Sequence, residues 1–119
     1  MVMLAQGKLL GQLGRVKLAL TDLERVAGFF RAFSESTRLA LLQELKDGPK
    51  SVGELVETLP TTQANISKQL KILHTAGLID RRKEGTSVHY SICEPAAMEL
   101  CRIACDKLNR EAVARKLEF

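Results

Sequence analysis

The apolar residues of this chain switch from a helical to an alternating period partway along, and that switch limits the folds open to it. Up to Ala76-Gly77 they recur at helical intervals, and from Leu78 to Ile92 they alternate. A helix buries a stripe of period 3.6, whereas a half-buried strand buries every second residue. A chain of 119 residues with this pattern is expected to form one domain of short helices around a small hairpin. The expected fold class is therefore mainly α with a small β-hairpin.

The first twenty residues read as an arm. Leu9, Leu13, Val16 and Leu20 lie on one helical face, but Gly7, Gly11 and Gly14 interrupt it, each weakening a helix by about 1 kcal/mol relative to Ala. Such an arm is a conditional helix that orders when its stripe packs on something. Thr21 or Asp22 can cap the next helix, whose apolar face is Val26, Phe29, Phe30 and Phe33. Ser34 is expected to end it and to cap a second helix running to about Lys46, with Leu39, Leu42 and Leu45 in the core. Asp47-Gly48-Pro49 is a stop signal.

Ser51 and Glu54 have capping-box spacing and open a third helix, with Val52, Leu55, Val56 and Leu59 inward. After Pro60, Thr61 or Thr62 caps a fourth, carried by Ile66, Leu70 and Leu73 and ended by Ala76-Gly77. In the hairpin that follows, Val88, Tyr90 and Ile92 are expected to face inward, with Glu84-Gly85-Thr86 at the tip. A last helix is expected from Pro95 to about Glu111. Its stripe of Met98, Cys101, Cys105, Leu108 and Ala112 has near-heptad spacing and suits a seam between two copies. The parts are then an arm (1–20), a domain ending in a dimerisation helix (21–112) and a tail (113–119).

Composition excludes several classes. Three cysteines without a framework-like spacing argue against a secreted disulfide scaffold. Lys8, Arg15 and Lys17 break the apolar N-terminus, and no run of roughly 20 apolar residues exists to span a membrane. The expected compartment is the cytoplasm. No Trp and one Tyr make stacking on single-stranded nucleic acid an unsuitable main mechanism. Phosphate-binding loops, dinucleotide fingerprints, zinc-protease motifs and nucleophile elbows are missing, so no enzyme is expected. The net charge of +4 acquires meaning only once the charges are placed.

Two short helices joined by Leu59-Pro60-Thr61-Thr62 make a helix-turn-helix, whose second helix enters the major groove of DNA. Its candidate contacts are Thr62, Gln63, Asn65, Ser67, Lys68, Gln69 and Lys71. Carboxamides match adenine N6 and N7, hydroxyls match phosphate or base edges, and lysines supply phosphate charge. Arg81, Arg82, Lys83 and Thr86 at the hairpin tip suit a backbone clamp or the minor groove. Any amphipathic helix has a polar face, so the competing reading is a protein-interaction module without DNA binding. His74 and His89 read as isolated surface residues.

The stretch from Phe30 to Ile92 resembles the ArsR/SmtB family of winged helix-turn-helix repressors. The resemblance is carried by Phe33-Ser34-Glu35-Ser36-Thr37-Arg38, Ser51-Val52-Gly53-Glu54-Leu55 and Gln63 through Leu73. It continues through Ala76-Gly77-Leu78-Ile79 and Glu84 through Ile92. It implies a homodimer built from the first and last helices, an operator that is an imperfect inverted repeat in double-stranded DNA, and repression relieved by an inducer. Many members carry His where Gln69 stands.

Two metal sites familiar in that family are absent. Ser51 to Leu59 holds no Cys or His, and the last helix has Asp106 and Glu111 but no His. Cys93, Cys101 and Cys105 remain. Three thiolates suit arsenite or another thiophilic ion, or oxidation, whereas the competing reading is simple packing of small apolar side chains. Cys101 and Cys105 share a face. Cys93 is roughly 12 Å from Cys101 along a helix, so fold-back or a partner subunit would have to close a three-thiol site.

Overall fold

A computed structural model of the chain describes residues 17–117. The expected arm lies mostly outside the described residues. The chain divides after Arg31 into two units. The first holds helix α1 (Leu20–Arg31), which buries none of its residues. Leu20, Leu23, Val26 and Phe30 stand exposed, and the rings of Phe29 and Phe30 meet edge to face at 5.7 Å. The helix begins before the expected caps, because the Ala19 carbonyl accepts from the amides of Asp22 and Leu23.

The second unit runs α2 (Ser36–Leu45), β1 (Lys50–Ser51), α3 (Val52–Thr58), α4 (Gln63–Thr75), β2 (Ile79–Glu84), β3 (Ser87–Ile92) and α5 (Pro95–Leu117). Glu35, not Ser34, caps α2, its carboxylate accepting from the Arg38 amide at 3.0 Å. The backbone amide of Thr37, followed by that of Arg38, holds the Glu35 carboxyl below the usual carboxylate range. The phase of α2 also differs from expectation. Leu41, Leu42 and Leu45 are buried and Leu39 is 41% exposed. With four leucines in seven positions, periodicity alone admits two faces.

At α3 the capping box is complete: Ser51 Oγ accepts from the Glu54 amide, and the Glu54 carboxylate accepts from the Ser51 amide. Leu55 is the buried anchor of this helix. Thr62 caps α4 by accepting from the Asn65 amide at 3.1 Å. At the far end Gly77 takes φ +78. Its amide donates to the His74 carbonyl and the Leu78 amide to the Leu73 carbonyl. That is the paired Schellman arrangement, with buried Leu73 and Leu78 as its apolar pair.

The hairpin is part of a three-stranded antiparallel sheet of order β1-β3-β2, with β3 central. Tyr90 and His89 pair with Lys50 and Ser51 on one side, and with Arg81 and Arg82 on the other. Two residues, Gly85 and Thr86, join Glu84 to Ser87, and Gly85 supplies the positive φ of +64 that the turn needs. Leu41, Leu42, Leu45, Leu55, Ile66, Leu70, Leu73, Leu78, Ile79 and Ala97 make the core. A fully buried leucine contributes about 2 kcal/mol by transfer alone. Helix α5 runs to Leu117, beyond the expected end near Glu111. Glu99–Arg102–Asp106 and Lys107–Glu111 ion pairs support it at one-turn spacing.

Candidate nucleic-acid interface

Helix α4 is held from behind and open in front. Ile66, Leu70 and Leu73 are buried, whereas Thr62, Gln63, Ser67, Lys68 and Lys71 are exposed. The capped N-terminus directs amide donors and the positive end of the helix dipole toward the same side. Short polar groups at the start of the helix and two lysines further along it are therefore exposed to solvent.

Two of the expected contacts are arranged differently. Gln69 is only 6% exposed. Its Oε1 accepts from Arg38 Nη1 at 2.6 Å, and its Nε2 donates to Asn65 Oδ1 at 3.1 Å. Gln69 is thus turned inward, not onto a ligand-facing surface. Asn65 is half-buried, and its Nδ2 donates to Thr61 Oγ1 at 3.0 Å. Arg38, which also donates from Nε to the Ala32 carbonyl at 2.8 Å, had no assigned role in the sequence. The signal available was an arginine, a donor-only group, in a segment otherwise assigned to helix capping and core.

The basic run of β2 does not lie on one face. Arg81, Arg82 and Lys83 are all exposed, but successive strand residues point to opposite faces. Lys83 and Arg81 stand opposite Val88 and Tyr90; Arg82 stands opposite His89 and shares its face with Asp80 and Glu84. One face of the hairpin therefore carries two unaccompanied cations, and the other carries one cation between two carboxylates. Thr86 is exposed at the tip.

His89 is half-buried, contrary to the surface reading. Its Nε2 lies 3.8 Å from Glu54 and its Nδ1 3.9 Å from Glu84. Nδ1 is buried without a hydrogen-bond partner. His74 is exposed, as expected. Val88, Tyr90 and Ile92 are half-buried, and so are His89 and Ser91, because β3 is central.

The three cysteines are free thiols and do not converge. Cys93 is exposed, with Sγ 3.5 Å from the Gly77 carbonyl. Cys101 is half-buried and Cys105 exposed, one turn apart on α5. Among the described residues, no three His, Cys, Asp or Glu side chains gather as a metal cluster. Among the described residues the three thiols thus make no single site, and Cys101 and Cys105 are the two that share a helix. Burial, then the neighbouring Cys105, pushes the Cys101 thiol up from its ordinary value. Along the same stripe Met98 is half-buried, and Leu108 is 60% exposed.

A capped, polar helix packed on a second helix, with a basic hairpin beside it, defines a winged helix-turn-helix of the DNA-binding class. The arsR family of bacterial regulatory proteins matches residues 35–81. The chain is 32% identical over 96 residues to the probable mercury resistance operon repressor of Streptomyces lividans, covering 81% of this chain and 77% of that one. It is 30% identical over 92 residues to a transcriptional repressor SmtB homolog of Synechocystis, covering 77% and 70%. The crystal structure of Mycobacterium tuberculosis Rv0081 matches with a TM-score of 0.70 and 32% identity, covering 83% of this chain and 98% of that one.

The chain belongs to the arsR family and is a DNA-binding transcriptional regulator. No helix among the described residues is long and apolar enough to cross a membrane.

Proposed function

We propose that this protein is a cytoplasmic repressor that binds an imperfect inverted repeat in double-stranded DNA as a homodimer and releases it when a thiophilic inducer binds. The observation that carries the DNA reading is the sidedness of α4. Three aliphatic side chains are buried, and Thr62, Gln63, Ser67, Lys68 and Lys71 are exposed from the capped N-terminus onward. In this reading Gln63 and Asn65 address base edges, Thr62, Ser67, Lys68 and Lys71 address phosphates, and Arg81, Lys83 and Thr86 grip the flanking backbone. Gln69 supports Asn65 and makes no contact of its own.

The dimer reading is supported by apolar side chains that one chain leaves uncovered. They include Leu23, Val26 and Phe30 on α1 and Leu108 on α5. Met98, Cys101, Cys105 and Leu108 form the proposed seam. A solution mass about twice the 13.2 kDa of one chain is expected at micromolar concentration. A monomeric mass there refutes the dimer.

Cys101 and Cys105, one turn apart, give a thiol pair at that seam, so a soft ion such as arsenite bound there would disturb the dimer geometry. The naming of a similar Streptomyces protein as a mercury resistance repressor supports a thiophilic inducer. The experiment is a fluorescence-anisotropy titration of reduced protein onto duplex from its own upstream region, with and without arsenite. Salt-sensitive, sequence-selective binding that arsenite releases is expected. Release that persists after Cys101→Ser and Cys105→Ser refutes the thiol site, and absence of selective binding refutes the DNA reading.

A further inference from the structure

Four polar side chains from three parts of the sequence form one chain of hydrogen bonds behind the DNA-facing surface. Arg38 on α2 donates to Gln69 Oε1, Gln69 Nε2 donates to Asn65 Oδ1, and Asn65 Nδ2 donates to Thr61 Oγ1. A carboxamide is symmetric in shape and opposite in hydrogen-bonding sense at its two ends, so its orientation depends on its partners. Arginine can only donate. The Gln69 end that faces Arg38 must therefore be its oxygen. Its nitrogen must then face Asn65, which must answer with its oxygen, leaving the Asn65 nitrogen for Thr61. One donor-only group thus fixes the direction of every amide in the series.

We infer that Gln69, anchored by Arg38, is a specificity-determining positioning residue. It locks the Asn65 carboxamide in one of its two orientations and so sets which base edge Asn65 accepts. The inference rests on the assignment of Asn65 as a base reader. The internal bonds leave Asn65 one N–H and one oxygen lone pair, the pair that an adenine N7 and N6 edge requires. Reversing the amide would set N–H against N6–H and oxygen against N7, both repulsive. A free asparagine can turn over to suit either arrangement. The locked one cannot turn without breaking the bonds to both Gln69 and Thr61.

The test is Gln69→Glu. Glutamate keeps the size of glutamine and still accepts from Arg38, but it can only accept from Asn65. The Asn65 amide then reverses, its nitrogen toward position 69 and its oxygen toward the Thr61 hydroxyl, which can donate as well as accept. The number of hydrogen bonds is unchanged, so the fold is retained.

Binding-site selection on wild type, Asn65→Ala and Gln69→Glu reads the outcome. Wild type is expected to prefer adenine at one position per half-site, and Asn65→Ala to lose that preference. Gln69→Glu is expected to lower it by about tenfold, the range of a bidentate base contact, with an unchanged salt slope. A merely structural Gln69 would weaken binding to all sequences alike.

A measurement without DNA runs in parallel. In wild type the Asn65 side-chain amide protons should show nuclear Overhauser contacts to the Thr61 methyl group, and in Gln69→Glu to the side chain at position 69. Wild-type contacts to Gln69 in place of Thr61 overturn the lock. A selective wild type whose base preference survives Gln69→Glu overturns the inference alone. A wild type without selective binding overturns the DNA reading and the inference together.

Discussion

The division of the basic run between two faces of the hairpin leads to a numerical expectation for salt dependence. Each phosphate neutralised by a cation adds about 0.9 to the slope of log affinity against log salt. Lys83 and Arg81 share a face with Val88 and Tyr90, whereas Arg82 lies between Asp80 and Glu84 on the other. Among the described residues neither Arg81 nor Lys83 is held in an ion pair, so each is available to a phosphate at no internal cost.

In the proposed homodimer, Lys83→Ala removes one contact per protomer and two in all, which should flatten the slope by about 1.8. Between 50 and 200 mM salt the wild type should therefore lose about 12-fold more affinity than the variant loses. Arg81→Ala should behave alike. Arg82→Ala should change the slope by less, because its carboxylate neighbours already offset its charge. Anisotropy titrations at four salt concentrations measure all three. Unchanged slopes for both Lys83→Ala and Arg81→Ala would refute the backbone grip, and a larger change for Arg82→Ala would refute the choice of face.

Further expectations concern stability and thiol chemistry. Leu70→Ala, at a fully buried position of α4, should cost about 3 kcal/mol, seen as a lower urea midpoint with an unchanged m value. Ser51→Ala removes a capping-box acceptor and should cost about 1 kcal/mol, or about 4 °C in thermal melting. Glu35 has its carboxyl lowered by the Thr37 and Arg38 amides. Its stabilisation is full above the unfolded-state value and lost as pH falls through the lowered folded one, so Glu35→Gln should flatten the acid limb of stability against pH. Cys101, raised by burial and by Cys105, should alkylate with iodoacetamide more slowly than exposed Cys93 at neutral pH, and faster once Cys105→Ser is introduced.

What sequence reading recovered was set by local chemistry. Ser51 with Glu54, Thr62 before Gln63, and Gly77 after Thr75 announce caps, because capping bonds join residues three or four apart. The change of period at Leu78 gave the hairpin for the same reason. Strand β1 was not legible, since two residues carry no alternation. The settings of Gln69 and His89 were not legible because a decisive neighbour of each comes from far along the chain. Arg38 lies 31 positions from Gln69, and Glu54 on α3 approaches His89. Leu39 was misassigned because a leucine-rich helix has no unique apolar phase. The alternation of Arg81, Arg82 and Lys83 was available from strand period alone, but a charge run reads as a block until its strand is registered.

The Schellman closure of α4 has a mechanical consequence. Only Ala76, Gly77 and Leu78 separate the helix from β2. Leu78 is tied by its amide to Leu73 and buried beside it. That leaves no slack in which the hairpin could swing while the helix stays still. Helix and hairpin are then joined as a single casting. In the proposed homodimer, what the proposed inducer can alter is the alignment between two such heads. On that proposal, loss of operator binding would come as a mismatch of spacing felt by both half-sites at once, rather than as damage to either one.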